Sequence, residues 1–233
     1  MKPYGFQCDQ SLFFKSGDKK NNTKKMQHIS IENSMRQIVE AEAEALRAIP
    51  YSDAYDKAVE MIIEHVHRRG GKLVASGMGK AGQVAFNLAS TFSSVGIPAV
   101  HIHPGEAQHG DIGVLQPDDV MLLISNSGGT REVTELVSLT KNIYPQIPII
   151  AITGNPDGEL SRVADVTLLT GGAPEVCPLG LTPTTSVTVM SAIGDILVVN
   201  VTRITGFPAS AYAKRHNGGA LGQKSRKEAE NIL

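Results

Sequence analysis

The run Ser125-Asn126-Ser127-Gly128-Gly129-Thr130 places three hydroxyls within six residues, and its two glycines let the backbone approach a ligand closely. It follows the apolar stretch Val120 to Ile124 and precedes Val133, Leu136 and Val137, which recur at helical spacing. A helix starting there directs unpaired N–H groups and roughly half a positive charge at the turn. A phosphomonoester brings about 1.5 to 2 negative charges and three acceptor oxygens, which hydroxyl and amide donors satisfy without a metal. The turn is therefore an anion cradle, with a Ser/Thr-rich helix cap as the plain alternative.

A second glycine turn, Gly77-Met78-Gly79-Lys80-Ala81-Gly82, follows the apolar run from Lys72 to Ser76. It matches the dinucleotide pattern GxGxxG, but no acidic residue lies between Glu64 and Glu106 to take a ribose hydroxyl. A P-loop fails as well, because Val74 and Ala81 stand where glycine and Ser or Thr are required. What remains is a tight turn that presents Lys80, or glycines that only let a strand and a helix pack closely.

These turns need elements to hold them. Lys72 to Ser76, Pro98 to Ile102, Val120 to Ile124, Ile147 to Ile152 and Val166 to Leu169 read as five strands. Helical periodicity near 80 to 95 and 130 to 144 alternates with them, so the expected fold is α/β: a three-layer αβα sandwich around a five-stranded parallel sheet, doubly wound and Rossmann-like. Extra helices flank it. One begins near Ser34, with Gln37 completing a capping box, and stops at Pro50; another is capped by Ser52 and closes at Gly70-Gly71. Thr185 to Thr205 reads as a long apolar helix; its longest apolar stretch, Val187 to Val201, is too short and too polar to span a bilayer and reads as buried core, and a short C-terminal helix follows Gly206-Phe207-Pro208.

Composition narrows the function classes. A net charge of −1 and the lack of any nucleic-acid-binding motif argue against nucleic acid as a partner. Cys8 and Cys177 lie far apart, with no metal-ligand spacing, and are expected as free thiols in a reducing compartment. Without a signal-peptide run, a cytoplasmic location and no membrane are expected. The expected domain organisation is a mobile extension over 1–28, rich in Lys and Asn, one domain over 29–222, and a tail over 223–233.

Several segments together resemble the SIS (sugar isomerase) family, in its arabinose 5-phosphate isomerase branch. They are Gly77-Met78-Gly79-Lys80, His103-Pro104-Gly105-Glu106-Ala107-x-His109-Gly110-Asp111, Ser125-Asn126-Ser127-Gly128-x-Thr130, Glu175-x-Cys177-Pro178-Leu179-Gly180-Leu181 and His216-x-Gly218-Gly219-Ala220-Leu221-Gly222. The resemblance runs from about residue 35 to 222. Asn217 stands where the family usually has proline, and Gly129 replaces a common glutamate. Many members continue into paired regulatory CBS modules, whereas this sequence ends at Leu233, so adenosyl-ligand regulation of that kind is not expected.

The resemblance implies interconversion of D-ribulose 5-phosphate and D-arabinose 5-phosphate through an enediol, feeding octulosonate (Kdo) synthesis for lipopolysaccharide or capsule. It implies a phosphate held by Ser76, Ser125, Asn126, Ser127 and Thr130, with the backbone of Gly77, Gly79 and Gly105 lining the pocket. Lys80 would stabilise enediolate charge, His109 and Glu175 both stand as the base, Glu132 would orient it, and His216 would open the cyclic sugar. Arg131 is expected in solvent. No cofactor and no metal are expected, although His101, His103 and His109 have a spacing that could trap a divalent ion. A homo-oligomer, a tetramer, with shared active sites is expected, and a downstream nucleotide sugar could feed back on it. Two alternatives remain open: a non-catalytic sensor of a phosphosugar or nucleotide sugar, and a hexulose-phosphate isomerase.

Overall fold

The computed structural model describes Ser30 to Glu230; the extension expected over 1–28 lies outside the described residues. Five strands form one all-parallel sheet in the order β2-β1-β3-β4-β5: β1 (Leu73–Gly77), β2 (Ala99–His101), β3 (Val120–Ile124), β4 (Ile149–Thr153) and β5 (Val166–Leu169). The three central strands are buried along their whole length, which is why they read as apolar runs broken only by Ser76 and Thr153 near their exits.

Successive side chains divide between two cores, as strand geometry requires. Leu73, Ala75, Leu122, Ile124, Ile150 and Ile152 face one way, toward α2 (Ala54–Ile62), α3 (Gly79–Ser94) and α7 (Thr185–Thr205). Val74, Met121, Leu123, Ile149 and Ala151 face the other way, toward α5 (Arg131–Ile143) and α6 (Glu159–Val163). The result is the expected three-layer sandwich. In α7, Val189, Ile193, Leu197 and Val201 lie in the first core and Gly194 sits directly against Leu88 of α3, so this long apolar helix is a core element.

The flanking helices differ from expectation in detail. α1 (Ile31–Arg47) starts one turn early, capped by the Ser30 hydroxyl accepting the Asn33 N–H, so Ser34 lies inside the helix. α2 has Asp53 at its cap position and continues into a π-helical turn, Ile63–Arg68. After α7, two helices follow instead of one, α8 (Ala209–Arg215) and α9 (Gly219–Glu230), which pack on each other; the expected boundary at 222 falls inside α9.

At the amino-terminal rim of the sheet, Asp119 is fully buried, takes the Lys72 ammonium at 2.7 Å and accepts the backbone N–H groups of Lys72 and Gln116. Asp165 accepts the Ile149 N–H at 2.8 Å on the same rim. These bonds fasten the strand entries; the strand exits carry the site.

Candidate functional site

All five strands leave the sheet at its carboxyl rim, and between β1 and β3 the chain turns outward in opposite directions. That switch point is where open α/β sheets bind ligands. The two glycine turns flank it. Gly77 and Ile124 are register partners, and a Cβ on Gly77 would lie 2.9 Å from the Ile124 carbonyl oxygen. A Cβ on Gly82 would lie 2.5 Å from the Gly77 carbonyl, so these two glycines set how closely α3 can lie on β1. The packing reading of that turn is correct, and it coexists with an exposed Lys80 in the first turn of α3.

The Ser125–Thr130 turn lies beside it, with Thr130 at the cap position of α5. Ser125 is 3% exposed and its Oγ lies 2.8 Å from Thr130 Oγ1, while Ser127 Oγ accepts the Gly129 N–H at 3.3 Å. The Thr130 carbonyl takes the Val133 and Thr134 N–H groups, so the amides before them face outward, as at any helix start. Gly128 has φ +65°, and its Cα lies against Gly158, a contact that no residue with a side chain could make without strain. Asn126 Oδ1 reaches Thr170 Oγ1 at 3.5 Å. Ser76, by contrast, is fully buried and its hydroxyl donates to the Ile102 carbonyl at 2.7 Å, holding β1 to the end of β2.

His109 lies on the loop after α4 (Pro104–Ala107), a short helix started by His103, whose Nδ1 accepts the Gly105 N–H. Gln108 Nε2 donates to Glu135 Oε2 at 2.8 Å and ties this loop to α5. His109 itself is exposed, and among the described residues its ring makes no hydrogen bond. His101 sits edge-on to Phe86 and is held below the ordinary imidazole range by burial, then by neighbouring His103. Among the described residues no three His, Cys, Asp or Glu side chains converge as metal ligands would. Glu132 is half-buried in the first turn of α5, and Arg131 is 78% exposed beside Glu135.

Glu175 is the most firmly held candidate. Its Oε2 accepts the Thr184 N–H at 2.7 Å, the Thr184 hydroxyl at 3.0 Å and the Ser186 N–H at 3.2 Å, capping α7. Burial works against its charge, but the bonds from Ser186 and Thr184 outweigh it and lower its pKa below the ordinary carboxylate value. Among the described residues Oε1 takes no partner, so an oriented carboxylate keeps one oxygen for chemistry. α3 packs along α7, which puts the Lys80 and Glu175 helix starts side by side on the rim.

His216 is not brought to this group within one chain. α7 descends from the rim for 21 residues, about 30 Å of helix, before Phe207 abuts Gly96 at the far end. His216 then closes α8, stacked on Tyr212 with ring centroids 3.8 Å apart.

Two features escaped the sequence reading. Cys177 Sγ accepts the Leu181 and Thr182 N–H groups, and bonding to Thr182 above all lowers its pKa to about 7. The loop after β4, Thr153 to Gly158, braces the Ser125–Thr130 turn from outside. Its Gly-Asn-Pro-Asp-Gly composition at a strand exit signals a turn, which is the one sign that could have drawn attention to it.

Comparison with known proteins finds relatives of this fold. The SIS domain model matches residues 65–200. The arabinose 5-phosphate isomerase KdsD of Escherichia coli O157:H7 is 45% identical over 163 residues, 70% of this chain and 49% of that protein. The KdsD of Francisella tularensis subsp. tularensis is 39% identical over 210 residues, covering 88% of this chain and 63% of that protein. The chain thus spans about half to three-fifths of the length of these curated relatives. A Bacteroides fragilis protein described as a phosphosugar isomerase involved in capsule formation superimposes with a TM-score of 0.81 at 56% identity, covering 82% of this chain and 99% of the other. An Escherichia coli CFT073 protein solved with bound arabinose 5-phosphate gives a TM-score of 0.73 at 29% identity, over 82% of this chain and 100% of the other.

Proposed function

The chain belongs to the SIS domain family, and on that basis we propose that it is an aldose-ketose isomerase interconverting D-ribulose 5-phosphate and D-arabinose 5-phosphate through an enediol. One observation carries the reading: the Ser125–Thr130 anion cradle lies at the switch point directly beside the turn that presents Lys80. The KdsD relatives and the arabinose 5-phosphate complex of a structural neighbour support the choice of a pentose phosphate.

In this reading the phosphate sits on the hydroxyls of Ser125, Ser127 and Thr130 and the first amides of α5. Asn126 and the backbone of Gly77, Gly79 and Gly105 line the cavity, and Ser76 supports it from the sheet. Glu175 Oε1 removes the proton from C1 of the ketose and returns it at C2. His109 passes the hydroxyl proton from O1 to O2, and the Lys80 ammonium stabilises the negative oxygen between the two steps. Glu132 orients the reacting end. Assignment of the base to Glu175 follows from its fixed orientation, since a base must be held within reach of the proton it takes.

His216 then serves the site of a neighbouring subunit, where it opens the cyclic sugar. The separation of His216 from the rim supports a homo-oligomer, a tetramer, with shared sites, as do the exposed Ile31, Met35 and Val39 along α1. A cytoplasmic setting suits the free Cys177 thiol and a pentose phosphate substrate. The product feeds octulosonate synthesis for lipopolysaccharide or capsule, and a downstream nucleotide sugar acts as a feedback ligand at the phosphate turn.

The test is to incubate purified protein with ribulose 5-phosphate, without added cofactor, and to separate the products by chromatography. Arabinose 5-phosphate should form, and Lys80→Ala and Glu175→Gln should each slow it by roughly 100-fold or more. A wild-type protein that binds the sugar phosphate and never converts it would replace this reading with a sensor.

A further inference from the structure

The geometry points to Asn155 as the positioning residue of the phosphate turn, acting by holding a backbone carbonyl out of the anion's way. This inference rests on the phosphate-binding reading of Ser125–Thr130, and it adds a residue outside that turn.

Three consecutive carbonyls of the turn are each taken by the loop after β4 or by the first turn of α6 that follows it. The Asn126 carbonyl accepts the Gly154 N–H at 3.0 Å, and the Gly128 carbonyl accepts the Leu160 N–H at 2.8 Å. Between them, the Ser127 carbonyl accepts the side-chain amide of Asn155, Nδ2, at 3.0 Å. In a trans peptide the carbonyl and the next N–H point in opposite directions. Carbonyls drawn into the 153–160 loop therefore leave the following amides directed to the inside of the turn: the Gly128 N–H reaches the Ser125 carbonyl and the Gly129 N–H reaches Ser127 Oγ. Those two amides are taken up within the turn and keep it closed around its hydroxyls, and a carbonyl swung in among those hydroxyls would set a partial negative charge against the phosphate.

Two backbone amides and the Thr153 hydroxyl, at 3.4 Å, serve the outer two carbonyls, while the Ser127 carbonyl between them is held by the Asn155 side chain. It is fixed for the task. Its own N–H donates to Thr153 Oγ1 at 3.2 Å, its Oδ1 accepts the Asp157 N–H at 3.1 Å, and its carbonyl accepts the Ser161 hydroxyl at 2.6 Å. The amide is thus divided: the oxygen closes its own turn, and the nitrogen reaches 28 residues back to the cradle.

Two variants separate these halves. Asn155→Ala removes both bonds. Asn155→Ser keeps an oxygen that can accept the Asp157 N–H, as serine does in such turns, but is too short to reach Ser127. The experiment measures KM for arabinose 5-phosphate, the inhibition constant of inorganic phosphate, kcat and the melting midpoint for wild type and both variants. Both should raise KM and the phosphate constant together by roughly three- to tenfold, the worth of one hydrogen bond. The loss should fall on binding rather than on kcat, and Asn155→Ser should melt with the wild type. Wild-type phosphate affinity in Asn155→Ser would overturn the proposal, because the residue would then only shape its own loop. Should wild type turn over nothing, calorimetric binding of inorganic phosphate to the same three proteins still decides the role of Asn155, independently of the isomerase reading.

Discussion

The carboxylate of Glu175 accepts the backbone N–H of Thr184 at 2.7 Å, nine residues on, and so caps α7, the longest helix among the described residues. In the proposed reaction the other oxygen of the same side chain is the base. Replacing Glu175 with Gln keeps the shape and removes the charge. We expect the melting midpoint to drop by the worth of a cap, about 1 kcal/mol, while turnover falls far more. The stability difference should depend on pH in a set direction. A carboxylate whose folded pKa is lowered stabilises the fold above its unfolded value, about 4.3, and loses that contribution as pH falls through the folded value. Melting curves of the two proteins should therefore converge in acid and separate toward neutrality.

The rate should follow the same group. With Glu175 as base, kcat/KM stays level from neutrality down to the carboxylate range and declines only as the protein is brought below it. An imidazole base would bring the decline near neutral pH. A pH–rate profile, with melting checked at each point, distinguishes the two assignments.

Gly82→Ala tests the packing of the first glycine turn. Its Cβ would fall 2.5 Å from the Gly77 carbonyl, a backbone atom that cannot rotate away. The helix must lift from the strand, which costs about 1 to 3 kcal/mol of stability, and Lys80 moves with it. We expect a lower melting midpoint together with a loss of kcat. A variant with wild-type values for both would show that the close approach has no consequence.

Cys177 should alkylate as a thiolate with a midpoint at about pH 7, because the Thr182 side chain first, and then the Thr182 and Leu181 N–H groups, stabilise its charged form. Thr182→Val, which removes the hydroxyl and keeps both N–H groups, should move the midpoint part of the way toward an ordinary thiol. Rates of iodoacetamide labelling against pH measure both.

The layered fold was legible because burial on both faces forces Val120 to Ile124 and Ile149 to Ile152 to be apolar at every position, a pattern no surface strand needs. Helix starts were less so. Ser34 reads from sequence as the cap of the first helix, and the bond from the Asn33 N–H to Ser30, one turn earlier, is what sets the start. The turn proposed to hold phosphate could be named as a candidate from its own residues, since its hydroxyls and glycines are adjacent in sequence. The brace behind it could not: Asn155 meets Ser127 across 28 residues, and its partner is a backbone carbonyl that every residue possesses. Likewise nothing near Glu175 announces that its partners are the amides of Thr184 and Ser186, because a helix cap recruited from nine residues upstream leaves no local pattern.

The Lys72–Asp119 pair, its carboxylate fully buried, clamps the entry ends of β1 and β3, while the Lys80 turn and the Ser125–Thr130 turn follow the exits of the same two strands. Anchorage and candidate site therefore have separate addresses on the same two ribbons, at opposite ends. Loops at the exit end can be exchanged, lengthened or retuned for another ligand while the anchor keeps the scaffold in register.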